Sequence, residues 1–182
     1  DMQVIFDFFS KKNGDYKHMR GGAGRPPDKG GIPIDEWGLT SHGIFAAVKT
    51  LENLENNWKI CGSKVVIQGY GNVGSPLATK LSQAGAVIVG ASDINAGIWS
   101  PIGLDVEEMN IIRRNPGGLS NYSRRVDKWF SPENLDCLME APCDILIPAA
   151  RPDAITSRNS DRINCRFIFQ AANTPSNKMT EY

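Results

Sequence analysis

The chain has 182 residues, enough for one well-buried domain and short for a complete two-domain enzyme. Its twenty basic and twenty acidic side chains cancel, so no net field draws it to nucleic acid or to an anionic membrane surface. Two histidines, and four cysteines (Cys61, Cys137, Cys143 and Cys165) without Cys-x-x-Cys spacing, offer no metal site, and no apolar run reaches the roughly 18 residues of a membrane span. The expectation is a cytoplasmic protein with reduced thiols.

Along the chain, Met2, Ile5, Phe6 and Phe9 recur at helical spacing and predict a short amphipathic helix. From Asn13 to Pro33, glycines and prolines crowd out any regular element and predict a long loop. Ile44, Val48 and Leu51 then form an apolar stripe behind Thr40 and Ser41, two candidate caps, and predict a helix from about Ser41 to Asn57. Lys64 to Gln68 holds Val65, Val66 and Ile67 without polar alternation, the pattern of a parallel strand buried on both faces. Val73, Leu77, Leu81 and Ala84 return to helical spacing, and Ala86 to Ala91 reads as a second buried strand. Further on, the spacing predicts strands at Gly97 to Trp99, Ile145 to Ile147 and Arg166 to Phe169, with a helix over Val106 to Asn115. Strands alternating with helices imply an α/β fold, a doubly wound, mostly parallel Rossmann-type sheet with helices on both faces.

Gly69, Gly71 and Gly74 make a G-x-G-x-x-G turn between the first buried strand and an amphipathic helix. Alone the pattern is weak. Asp93, nineteen positions after Gly74 at the end of the next strand, supplies the context that makes it specific for a dinucleotide. The first glycine permits the turn, the second lets a pyrophosphate approach the backbone, and the third lets helix and strand pack closely. The helix N-terminus offers N–H groups and partial positive charge to phosphates, and Asp93 is placed to accept from an adenosine ribose. No basic residue follows Asp93 until Arg113, which favours NAD over NADP. The glycines also fit an ordinary strand-to-helix turn.

Four ordered stretches go beyond that turn: Gly30 to Pro33 with Asp35, Glu36, Gly38 and Thr40; Gln68 to Gly74; Ser92 and Asp93 with Gly97 to Asp105; and Cys143 to Asp153 with Asn173 to Pro175. Together they resemble the glutamate-type branch of the glutamate/leucine/phenylalanine/valine dehydrogenase family. The resemblance implies an NAD-dependent amino-acid dehydrogenase, glutamate the best substrate guess, in which this chain is the C-terminal dinucleotide-binding domain. It places Thr40 near the nicotinamide carboxamide, Asn72 and Val73 at the pyrophosphate and neighbouring ribose, Ala149 and Ala150 where small residues leave room for a dinucleotide, and Asn173 near the nicotinamide. Each has a plainer reading beside it: Thr40 as a helix cap, the alanines as packing, Asn173 as a turn residue before Thr174 and Pro175.

Ser41 departs from the family's usual glycine, and Gln170 and Ala171 replace an acidic residue and a glycine. His42 has no partner in the sequence that would make it a general base, and His18 lies in the loop. The family's catalytic lysine and aspartate have no counterpart here, so the chain is expected to be a fragment, with residues 1–35 a remnant of the interdomain connection and residues 36–182 a C-terminally truncated dinucleotide-binding domain. By itself it is expected to bind without turnover, with no catalytic or metal-ligating residue of its own, while the whole enzyme is expected to be a homo-oligomer that takes an L-amino acid or 2-oxo acid. A stand-alone, non-catalytic nucleotide-binding or regulatory module is the competing reading.

Overall fold

With no polar residue between Val65 and Ile67, the segment Lys64–Gln68 has no face to turn to water, and it forms the central strand β1, buried from Val65 to Gln68. The computed structural model describes residues 27–35 and 37–176, with Val4, Phe8, Lys11 and Lys12. The stripe of Met2, Ile5, Phe6 and Phe9, and most of the predicted loop from Asn13, lie outside the described residues; within that loop Pro27–Lys29 makes one 3-10 turn. Residues 1–39 and 40–182 cluster as two separate units.

The larger unit is built on one six-stranded sheet in the order β4-β3-β2-β1-β5-β6. Its strands are β1, β2 (Val87–Ser92), β3 (Gly97–Trp99), β4 (Lys128–Phe130), β5 (Ile145–Pro148) and β6 (Phe167–Ile168). β2, β1, β5 and β6 pair in parallel, while β3 runs antiparallel to both β2 and β4. The sheet is therefore mostly parallel, with one reversed strand.

Alternation along β1 divides the core. Val65 and Ile67 face Val48 of α1 (Leu39–Leu54), Leu77 and Leu81 of α2 (Gly74–Gln83) and Met109 of α3 (Val106–Ile112). Val66 points the other way, into a smaller cluster with Leu138 and Met139. Those two residues belong to a 3-10 helix, Pro132–Glu140, which packs on the face opposite α2 in a segment where the sequence reading placed no element.

Three boundaries move. α1 begins at Leu39, so Thr40 and Ser41 sit inside its first turn rather than capping it. β2 ends at Ser92, which puts Asp93 just past the strand. α3 stops at Ile112, ahead of the Pro116-Gly117 turn, and is capped at its start by Asp105, whose carboxylate accepts from the Glu108 N–H at 2.9 Å.

Candidate functional site

The chain passes from β1 to β2 on one side and reaches β5 on the other, so the strand order reverses between β1 and β5. Ligands of open α/β sheets bind at the carboxyl ends of the strands beside such a reversal. Here that place holds the glycine turn after β1 and Ala149 and Ala150 after β5.

The three glycines do different work. Gly69 has φ +100, and a Cβ on it would lie 2.8 Å from the Ala150 backbone. At Gly74 a Cβ would overlap the Gly69 carbonyl oxygen and press on Ile67. Both positions are required by the fold. A Cβ on Gly71 would meet nothing within 4 Å, and its φ is not positive. Among the described residues nothing requires glycine there, so the space beside it is open to a ligand. The turn itself is held rigidly: Gly69 and Tyr70 both donate to the Ser92 carbonyl, at 3.0 and 2.6 Å. The buried Tyr70 hydroxyl donates to Asn110 Oδ1 at 3.0 Å, and Asn110 donates onward to Thr79 at 2.9 Å, tying the turn to α3 and α2. Burial pushes the Tyr70 phenol well above its ordinary value, so it stays a neutral donor.

Around this turn lies a cleft of about 980 Å³, within the size range of small-molecule and cofactor sites. Its walls include Gln68 to Val73, Ser92 to Asn95, Arg113, Gly117, Gly118, Asp136, and Ala149 to Arg151. Ile94 is 85% exposed and offers an apolar surface. Gln68 Oε1 is buried at the cleft wall with no hydrogen-bond partner among the described residues. Among the described residues no side chain caps α2, whose first turn follows Val73. An open glycine, an uncapped helix N-terminus, a buried acceptor, an apolar wall and two arginines together suit a dinucleotide.

Of the residues the sequence singles out, Gly69, Gly71, Asn72, Val73, Asp93, Ala149 and Ala150 line this one cleft. Gly74 packs behind it, and Thr40 and Asn173 are exposed and are not among its lining residues. Asp93 is less available than expected. Its Oδ1 accepts from the Asn95 and Ala96 N–H groups at 2.8 and 3.0 Å, and its Oδ2 from Leu119 N–H at 2.7 Å. A carboxylate has about four acceptor positions, so one remains, on Oδ2.

Sequence reasoning missed two contributors. Ser41, read from the sequence as a candidate cap and a departure from the family, is fully buried and donates to the Val73 carbonyl at 2.8 Å, fastening α1 to the turn. Arg151 pairs with Asp136 of the 3-10 helix, both lining the cleft; Leu135, Leu138 and Met139 at helical spacing were the signal for that helix.

Comparison with known proteins agrees with this architecture. The profile described as Glutamate/Leucine/Phenylalanine/Valine dehydrogenase matches residues 30–181. The glutamate dehydrogenase of Aeropyrum pernix is 38% identical over 162 residues, 87% of this chain and 36% of that protein. An NADP-specific glutamate dehydrogenase of Saccharolobus shibatae is 35% identical over 84% of the chain and 34% of its own length. A cryptic catabolic NAD-specific glutamate dehydrogenase of Bacillus subtilis is 36% identical over 75% of the chain and 30% of its own length. Among solved structures, the hetero-hexameric glutamate dehydrogenase of Thermus thermophilus shares the fold with a TM-score of 0.74, at 24% identity over 99% of this chain and 40% of that one. The chain thus spans about a third of the length of the relatives it matches. It belongs to the glutamate/leucine/phenylalanine/valine dehydrogenase family, and within it is similar to the glutamate dehydrogenases.

Proposed function

We propose that this chain is the C-terminal NAD-binding domain of a glutamate dehydrogenase-like enzyme. The reaction is oxidation of an L-amino acid, glutamate first among candidates, with water and NAD to a 2-oxo acid, ammonium and NADH. The observation that carries the reading is the open space beside Gly71 at the strand-order reversal of a family member. Hydride transfer needs both reactants held at near contact distance, which assigns this chain the task of fixing one of them.

In this reading the backbone from Gly69 to Gly74, with Asn72 and Val73, holds the pyrophosphate at the start of α2. Ala149 and Ala150 keep the opposite wall low. The remaining acceptor position of Asp93 takes one ribose hydroxyl, and its charge opposes a 2′-phosphate, so NAD is preferred to NADP. Thr40 and Asn173 are assigned to the nicotinamide end by their place in the family's pattern. Residues 36–182 form the dinucleotide-binding domain and residues 1–35 the remnant of a connection to another domain. The whole protein is proposed as a cytoplasmic homo-oligomer, whereas the Thermus relative is described as hetero-hexameric. No described helix is long and apolar enough to cross a membrane.

The test is NADH formation by the protein expressed from the whole reading frame that encodes this chain, with L-glutamate, leucine, phenylalanine and valine offered separately. Turnover fastest with glutamate is expected. NAD binding without turnover on any of the four would favour a nucleotide-binding module instead.

A further inference from the structure

At the end of the sheet away from the cleft, two thiols meet. Cys143 lies two residues before Ile145 of β5 and Cys165 two residues before Phe167 of β6, and Ile145 pairs with Phe167 in parallel register. Carried back two residues, the same register sets Cys143 beside Cys165 on one face of the sheet. Both side chains pack against the smaller core cluster. Backbone bonds bracket the pair: Cys143 N–H donates to Asn164 O at 3.2 Å, and Arg166 and Phe167 N–H groups donate to Asp144 O at 3.1 and 2.9 Å. Both residues are half-buried and free, open to a small oxidant. Neighbouring strands lie about 4.8 Å apart, inside the roughly 4.4 to 6.8 Å Cα separation that a disulfide spans.

We propose that Cys143 and Cys165 form a reversible dithiol–disulfide site, closed by hydrogen peroxide, that staples the entry of β5 to the entry of β6. The two sulfurs have different tasks. The neighbouring Cys143 holds the Cys165 thiol below its ordinary value, whereas the neighbouring Cys165 and burial push Cys143 up. Cys165 is thus the attacking thiolate. Its sulfur takes one peroxide oxygen, forming an S–O bond as the O–O bond breaks and hydroxide leaves to become water. Cys143 then attacks that sulfur; the S–S bond forms, the S–O bond breaks, and the departing hydroxide takes the Cys143 proton as a second water. Two thiols lose two electrons and two protons, and one peroxide is reduced to two waters. The closed loop, Cys143 to Cys165, contains Arg151 but not the glycine turn. Oxidation therefore stabilises the β5–β6 side and leaves the turn intact.

The test uses the full chain, treated with one equivalent of hydrogen peroxide, alkylated, and digested with trypsin and glutamyl endopeptidase. Cleavage at Glu140 separates Cys137 from Cys143. The expected product is a Cys143–Cys165 linked peptide, two hydrogens lighter than the free pair. It should be independent of protein concentration and lost on dithiothreitol treatment. Tm should rise by about 5 °C on oxidation, with NAD affinity unchanged within about twofold. In Cys143→Ser, Cys165 should instead be recovered as sulfenic or higher acids. Recovery of both thiols in reduced form, or disulfides formed only through the exposed Cys61 and Cys137, would overturn the proposal.

Discussion

Asp93 Oδ2 accepts the main-chain N–H of Leu119 at 2.7 Å, and glycine at position 118 is what allows the approach. Gly118 sits at φ +49, and a Cβ on it would overlap that same oxygen. With Asn95 and Ala96 donating to Oδ1, Asp93 clamps the β2–β3 turn to the loop on the far side of the cleft mouth. Gly118→Ala should therefore displace Leu119 and lower the thermal midpoint by about 5 °C, from a clash worth about 1 to 3 kcal/mol. Circular dichroism on heating measures this. An unchanged midpoint would mean that the clamp carries no stability.

The same clamp limits what Asp93 contributes to cofactor choice. One remaining acceptor position supports a single charge-assisted bond to a ribose hydroxyl, worth about 1.5 to 3 kcal/mol. NAD is expected to bind at least about tenfold more tightly than NADP, since tenfold needs only about 1.4 kcal/mol. Arg113 lines the cleft as well and would attract a 2′-phosphate. Arg113→Ala should widen the gap, chiefly by weakening NADP. Equal affinities in the unaltered chain would remove Asp93 from the ribose.

Ser41 offers a cleaner stability test because its hydroxyl is fully buried and makes one bond, to Val73 O. Ser41→Ala should cost about 1 kcal/mol, lowering the midpoint by about 2 to 4 °C in a chain of this size. Dinucleotide affinity should fall as the turn loosens. A midpoint equal to that of the unaltered chain would show the Ser41–Val73 bond to be energetically idle.

How legible each part was follows from how local its cause is. Val65 to Ile67 announce a doubly buried strand, and the glycine spacing announces the turn, because both patterns are set by neighbours in sequence. β4 escaped notice because it is three residues long, with Lys128 and Trp129 exposed and only Phe130 buried. Edge strands of that length carry little periodicity. The occupancy of Asp93 by Leu119 spans 26 positions, and the Ser41–Val73 bond spans 32. No local pattern encodes either. The Asp93–Asn95–Ala96 turn was within reach, since an aspartate commonly accepts from amides two or three residues on.

Acid sensitivity should concentrate beside α3. Glu108 accepts from the Ser123 hydroxyl and main-chain N–H at 2.6 and 2.7 Å, and from Arg124 at 2.9 Å. Donation from Ser123, with Arg124 adding to it, holds its carboxyl below the usual range. A depressed folded-state value contributes stability above the unfolded value and loses it as pH falls through the folded one. The thermal midpoint should fall as pH drops below the unfolded carboxyl value of about 4.3, and Glu108→Gln should be less stable at neutral pH with a flatter decline. Parallel pH profiles for the two proteins would contradict this.

Calorimetric titration of NAD into Gly71→Val shows whether the space at Gly71 belongs to a dinucleotide. The protein offers no obstacle to the side chain, since a Cβ there meets nothing within 4 Å, so circular dichroism and thermal midpoint should match those of the unaltered chain. The isopropyl group would fill the room a pyrophosphate needs, and affinity should fall by at least about a hundredfold, a loss of roughly 2.8 kcal/mol. Unchanged NAD affinity in a folded Gly71→Val protein would mean that the turn does not touch the cofactor.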